Sequence, residues 1–169
     1  MLEAAILVIF PLCMAMAAMT DILSMTIPNR VSLLLGASYF LLAPIVGLDL
    51  ITIGWSVVAA LCVFAVCFTL FALNIMGGGD AKLLTASALW FGFGLDLVGY
   101  LTLVAYLGAF LTIGILILRT QIMSYVTNAL PIPAHLMDPK AGVPYGVAIG
   151  IAALMNYPET QIFMLAINS

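Results

Sequence analysis

Two aspartates, Asp21 and Asp80, lie where long apolar stretches of this sequence meet short polar ones. Asp21 directly follows VIFPLCMAMAAMT, and Asp80 lies between NIMGGG and AKLLTASALW. Two facing carboxyl groups in a partly dry site cannot both ionise easily, so such a pair tends to hold a single proton. One carboxylate can then act as a base on water while the other donates a proton to a carbonyl, as in aspartic proteases. We therefore take both aspartates as candidate catalytic residues.

Each aspartate taken alone also fits a helix cap at a membrane interface, and Asp80 opens a predicted helix. Other protease chemistries lack their residues, because the sequence contains neither HExxH nor GxSG and its single histidine, His135, has no obvious serine partner. The three cysteines lie inside apolar runs without CxxC spacing, which favours packing over a zinc site or a disulfide. We expect neither a metal nor another cofactor.

Three consecutive glycines, Gly77, Gly78 and Gly79, precede Asp80. We predict that they end the longest apolar helix and free the backbone, which would let the backbone of a peptide substrate approach closely. The simpler alternative is an ordinary helix-ending turn, where glycine is common. Asp138, in contrast, lies in a polar stretch beside a proline, and we interpret it as a solvated turn residue.

The elements that must position these residues are membrane helices. The chain has 169 residues, of which 66% are hydrophobic and 7% are charged. Soluble domains carry about 25% charged residues, and a chain of this length cannot bury so much apolar surface. The apolar runs are continuous rather than alternating, which favours helices over a barrel. We predict one all-α, polytopic membrane domain over residues 1–169, with no basic stripe for nucleic acid.

Six transmembrane helices fit the hydropathy pattern, since about 20 residues cross the hydrocarbon layer. The predicted spans are residues 3–20, 31–46, 50–76, 81–95, 97–118 and 142–155. The first is predicted to stop at Asp21, the second to be interrupted by Pro44, and the fourth is short enough to be partly re-entrant. The start, MLEAAILVIF, lacks the basic residues of a signal peptide, and the last ten residues are too short to cross again.

The basic residues indicate the orientation, because loops on the cytoplasmic side are enriched in lysine and arginine. All four fall in the loops after the first, third and fifth spans: Arg30, Lys82, Arg119 and Lys140. Both termini then lie on the non-cytoplasmic side, together with four acidic residues: Glu3, Asp49, Asp96 and Glu159. The same orientation predicts that Asp21 and Asp80 lie at the cytoplasmic face.

Three segments resemble the type IV prepilin peptidase family of GxGD-type aspartyl proteases. MGGGDAKLL is similar to the GxGD motif, TDILSMTIPNRVSLLL to the first catalytic region, and KAGVPYGVAIGIAAL to the final helix, which opens with proline, an aromatic residue and glycine. The segments occur in family order and spread over nearly the whole chain. The chain resembles compact Flp/Tad-type members, which lack the N-terminal cytoplasmic cysteine domain of larger members, so the resemblance does not extend to their N-methyltransferase activity.

The resemblance implies that Asp21 and Asp80 are the catalytic pair and that the glycines before Asp80 belong to the motif. Lys82 matches the lysine that commonly follows, and it also fits an interfacial anchor. Asn29 would order the first loop. Two further residues, Pro144 and Gly146, would shape the start of the last helix near the site.

The resemblance also implies the reaction, which is removal of the basic leader of a prepilin or pseudopilin at the cytoplasmic face of the inner membrane, just before the hydrophobic segment. Archaeal preflagellin peptidases share this chemistry. Two other function classes stay open. One is a small cation- or proton-coupled transporter that binds its ion at the aspartates. The other is a structural subunit of a secretion machine in which both aspartates cap helices.

Overall fold

The structure, a computed structural model, describes residues 2–120 and 142–168, with side chains from residue 5 onward. Its helices are α1 (Leu2–Ser24), α2 (Asn29–Ile45), α3 (Leu50–Ala72), α4 (Gly78–Phe91), α5 (Leu95–Leu118), α6 (Tyr145–Asn156) and α7 (Gln161–Asn168), with a 3-10 turn at Tyr157–Glu159. The described part of the chain contains no strand, so the all-α prediction is confirmed. The predictions for His135, Asp138 and Lys140 lie outside the described residues.

Within the described residues, three helices are long and apolar enough to cross a membrane, which agrees with a multi-pass membrane protein. They are Ala5–Ser24 within α1, the whole of α3, and the whole of α5. Helix α2 is apolar but shorter, with 17 residues, and it continues through Pro44 to Ile45. The count of six spans and the orientation of the termini stay predictions.

Helix α4 lies at the centre of the bundle. It has 14 residues, and nine of them are buried. Six of these nine form the continuous run from Ala86 to Phe91. Helices α2, α3, α5 and α6 all pack against it. At about 1.5 Å per residue it spans roughly 21 Å, less than the hydrocarbon layer. A helix that is apolar on most sides is buried either in a protein core or in a membrane, and other helices cover α4.

Two predicted helix ends are wrong, and both lie beside the candidate aspartates. Helix α1 does not stop at Asp21 but continues to Ser24, so Asp21 lies in its last turn. Helix α3 ends at Ala72 rather than at the glycines, and the chain then turns through Asn74, which has a φ of 56°. The glycines open α4 instead, with Gly77 as its N-cap residue. Asp80 is therefore in the first turn of α4 and does not cap it.

An aromatic cluster fixes the helices at the end of the bundle away from the aspartates. Phe10 of α1 stacks on Tyr157 with ring centroids 4.3 Å apart, and it lies 5.1 Å from Trp90 of α4. The Trp90 indole donates a hydrogen bond to the carbonyl oxygen of Leu35, and the Tyr157 hydroxyl donates to that of Ile6. These buried contacts tie α1, α2, α4 and the 3-10 turn together.

A cavity of about 250 Å³ lies at this same end, between the C-terminus of α4 and the N-termini of α3, α5 and α7. Thr52, Asp96 and Gln161 contribute polar groups to its lining. The Thr52 hydroxyl also donates a hydrogen bond to Asp49. Two of the acidic residues predicted to share the non-cytoplasmic side thus lie at one end of the bundle.

Candidate active site

Asp21 is a buried carboxyl group of α1 that contacts α6. Its side chain is 5% exposed, and its Oδ2 atom accepts a hydrogen bond of 2.7 Å from the backbone N–H of Gly146. Gly146 is in the first turn of α6, which begins after the N-cap residue Pro144. Backbone N–H groups at a helix N-terminus are free to donate and favour a negative charge. The start of α6 therefore supplies a hydrogen-bond donor to the Asp21 carboxylate.

A side chain at position 146 would have to displace its neighbours. A Cβ atom there would lie 2.8 Å from Asp21 Oδ2 and 2.8 Å from Ile27 Cδ1. One turn later, a Cβ at Gly150 would lie 3.0 Å from Ala18 Cβ and 3.0 Å from the Met14 carbonyl oxygen. Small residues four apart let membrane helices approach closely. This spacing brings α6 against α1 and puts the Gly146 N–H within reach of Asp21.

The three glycines before Asp80 provide close approach on several sides. A Cβ at Gly77 would lie 2.9 Å from Asp80 Oδ2, one at Gly78 would lie 3.2 Å from the Phe71 ring, and one at Gly79 would lie 3.2 Å from Ile27 Cβ. None of the three has a positive φ. These glycines matter here because they have no side chain, which lets the start of α4 pack against α3 and against the connection after α1.

Both aspartates line one cavity. The cavity has a volume of about 570 Å³ and lies between the C-terminal ends of α1, α3 and α5 and the N-terminal ends of α4 and α6. A smaller neighbouring cavity, about 270 Å³, is also lined by Asp21 and Asp80, together with all three glycines and Asn29. Asp80 is half-buried at the start of α4. The geometry thus brings the two carboxyl groups to a shared space of a size that admits a peptide segment and water.

Two further residues implied by the resemblance meet each other. The Lys82 Nζ atom donates a hydrogen bond of 3.0 Å to Asn29 Oδ1, which links the first turn of α4 to the first residue of α2. Both side chains are exposed, so this contact contributes little to stability. Its position matters more, because Asn29 lines the smaller cavity while Lys82 is two residues beyond Asp80.

Sequence reasoning did not single out Tyr145 and Thr112, which line the larger cavity with the aspartates. The Tyr145 ring rests directly on the backbone of α5 at Gly108, where an added Cβ would lie 2.2 Å from the ring. At the end of α5, Arg119 donates a hydrogen bond of 2.9 Å to the Gly142 carbonyl oxygen, just before α6. The start of α6 is therefore held against α5 on one side and against Asp21 on the other. The only sequence signal was the aromatic residue between Pro144 and Gly146.

One comparison with known proteins gives a match. The family model described as the type IV leader peptidase family matches residues 8–129, a range that contains both aspartates, the glycines, Asn29 and Lys82. Helix α6 lies beyond the matched range. The chain matches no curated protein and no solved structure.

Proposed function

The chain belongs to the type IV leader peptidase family, and from this membership we propose that it is a membrane-embedded aspartyl endopeptidase. Its substrates are prepilin-like proteins, from which it removes a basic leader at the cytoplasmic face of the membrane. The observation that carries the proposal is the cavity shared by Asp21 and Asp80. Two carboxyl groups that line one space can divide the roles of base and acid, whereas two separate helix caps cannot.

In the proposed reaction, the ionised carboxylate removes a proton from water while the water oxygen attacks the carbonyl carbon of the peptide bond. The protonated carboxyl group donates its proton to the carbonyl oxygen, which gives a neutral tetrahedral intermediate. When the intermediate collapses, one of its hydroxyl groups returns a proton to one carboxylate and the C–N bond breaks. The leaving nitrogen takes the proton that came from water, so the dyad is restored with one proton.

The groups around the dyad suit this chemistry. The Gly146 N–H holds Asp21 Oδ2 in one orientation, and a hydrogen bond to a charged carboxylate is worth about 1.5–3 kcal/mol. The absence of side chains at the glycines before Asp80 lets the start of α4 pack closely on Phe71 and Ile27, which fixes the position of the turn that carries the second carboxyl group. Together these features support a pre-positioned carboxyl pair that needs no side-chain nucleophile.

Charge-neutralising variants test the proposal. Asp21→Asn and Asp80→Asn keep the shape of each side chain but remove the acid–base function, so each is expected to lower the cleavage rate by about 100- to 10,000-fold or more. The measurement is cleavage of a co-expressed prepilin-like substrate, followed by its change in mobility. Asp96→Asn is the matched control, because Asp96 lies at the other end of the bundle. This variant should cleave the substrate at the normal rate.

Normal processing by either dyad variant would overturn the assignment. A second experiment tests the transporter alternative, in which the aspartates bind a cation or proton. Purified protein in liposomes would then show ion uptake that disappears in Asp21→Asn and Asp80→Asn. Cleavage without uptake in the unmodified protein supports the peptidase.

A further inference from the structure

A lateral groove runs along the central helix next to the candidate active site. Helices α2 and α3 both pack on α4 but have little contact with each other in the described part of the chain, so a groove with α4 as its floor is left between them. The groove has a volume of about 570 Å³. Thr85, Ala86 and Leu89 of α4 form its floor, while Leu33 of α2 and Phe64 of α3 lie on its two sides.

The lining of the groove changes character along its length. Leu33 and Phe64 are 74% and 46% exposed and give it apolar walls. At one end lie Asn29, Arg30 and Lys82, the polar and basic residues at the start of α2 and α4. From Lys82 to Leu89 the floor covers about two helical turns, roughly 10 Å. The groove thus has a polar end at the level of the aspartates and an apolar body that extends towards the middle of the membrane helices.

The polar end of the groove adjoins the candidate active site. Asn29 lines both the groove and the smaller cavity that contains Asp21 and Asp80. Lys82 lines the groove, bonds to Asn29 and is two residues from Asp80 along the same helix. A molecule seated in the groove therefore has its polar end next to the two carboxyl groups.

We propose that this groove seats the apolar membrane-spanning helix of the protein substrate. The groove then positions the peptide bond just before that helix at the dyad. This inference rests on the proposed function and adds to it where the substrate binds. Small residues let a second helix approach closely within a membrane, and Ala60 and Ala86 line the groove. A lipid is the other molecule that such a groove could hold, and crosslinking distinguishes a lipid from a substrate helix.

Site-specific photo-crosslinking tests the occupant directly. Benzoylphenylalanine replaces Leu33 or Phe64 in the groove, in an Asp80→Asn background that keeps the substrate intact. The matched controls carry the same probe at Leu41 of α2 and Phe110 of α5, which are 67% and 78% exposed and do not line the groove. We expect adducts with a prepilin-like substrate from the groove positions at several times the yield of the controls. Equal yields, or adducts with phospholipid alone at the groove positions, overturn the proposal.

Cleavage kinetics test the same groove without a probe. Thr85→Phe fills the floor, and Thr102→Phe on the exposed surface of α5 is the matched control. Each variant is assayed on a full substrate and on a short peptide that carries the leader and the cleavage point but lacks the helix. We expect Thr85→Phe to raise KM for the full substrate about tenfold, which corresponds to the loss of about 1.4 kcal/mol of binding, with peptide cleavage unchanged.

The two substrates also distinguish a failure of the groove proposal from a failure of the proposed function. Equal kinetics of Thr85→Phe and Thr102→Phe on the full substrate overturn the groove but leave the peptidase intact. An equal loss on the full substrate and the short peptide likewise overturns the groove as a helix-binding surface. An unmodified protein that cleaves neither substrate overturns the proposed function, and the groove proposal with it.

Discussion

At the residue scale, the two carboxyl groups of the site are held in different ways. Asp21 is buried in the last turn of α1, where the helix C-terminus disfavours a negative charge. The Gly146 N–H at the start of α6 offsets this cost with a direct hydrogen bond. Asp80 is half-buried in the first turn of α4, where the helix N-terminus itself favours a carboxylate. Asp21 therefore depends on a distant part of the chain, and Asp80 on its own helix.

Gly146→Ala tests this dependence. The added Cβ must displace Asp21 or Ile27, because both lie 2.8 Å from its ideal position. We expect kcat to fall by about 100-fold, since a displacement of about 1 Å at a reacting group has an effect of this size. The measurement is the steady-state rate on a prepilin-like substrate. Gly36→Ala is the control, because its Cβ would meet nothing within 4 Å. An unchanged rate for Gly146→Ala would show that the Asp21–Gly146 contact has no role in cleavage.

Residue types and spacing were enough to single out Asp21 and Asp80 as candidates, but they did not indicate which groups contact each carboxyl group. Asp21 and Asp80 stand out because acids are rare in so apolar a chain. Gly146, Asn29 and Lys82 entered through the family resemblance, and their contacts come from the structure alone, since Gly146 bonds to Asp21 across 125 positions. Tyr145 was not selected because its position depends on Gly108, and a glycine inside an apolar helix has no distinguishing sequence pattern.

At the element scale, continuous apolar runs predicted where helices lie, and capping residues failed to predict where two of them end. The predicted fifth span, residues 97–118, agrees with α5 to within two residues at its start. The glycines were assigned to the end of α3 because glycine commonly follows a helix. They begin α4 instead, because close packing against Phe71 and Ile27 requires small residues there. Tertiary contact, which a single sequence does not display, decided the boundary.

Gly108→Ala tests how α5 holds the first turn of α6. Alanine normally stabilises a helix relative to glycine by about 1 kcal/mol, so only the contact with Tyr145 makes this change harmful. The new Cβ would lie 2.2 Å from the Tyr145 ring and force the ring out of its place in the cavity. We expect kcat to fall by about tenfold or more, as misplacement near reacting groups predicts.

Gly114→Ala on the same helix is the control for this variant, because its Cβ would meet nothing within 4 Å. A double-mutant cycle with Tyr145→Ala adds a readout that general destabilisation does not move. If Gly108 acts through the tyrosine ring, Gly108→Ala has no further effect once that ring is removed. Fully additive losses would contradict the contact.

At the scale of the whole molecule, the bundle has two chemically different ends. One end carries Asp21 and Asp80 around a shared cavity. The other carries Asp96 and the Thr52–Asp49 pair around a second cavity. The central α4 runs from one end to the other, so both sites are built on its two termini. This division agrees with the sorting of charges in the sequence, although the side of the membrane on which each end lies is still a prediction.

Cysteine accessibility in intact cells tests the orientation. In a chain whose native cysteines have been replaced, Asp49→Cys should react with a membrane-impermeant maleimide from outside. Thr120→Cys, near the opposite end of the bundle, should react only after the membrane is opened. Both positions are exposed, so a difference in labelling reports the side of the membrane rather than burial. The reverse labelling pattern would place the aspartates on the non-cytoplasmic side and contradict the proposed site of cleavage.

The hydrogen bond between Gly146 and Asp21 has a consequence for biosynthesis. A nascent chain that has emerged only as far as α5 already contains both aspartates, yet it still lacks the donor that orients the first of them. Asp21 therefore reaches the orientation seen in the structure only after α6 has been synthesised and has packed against α1.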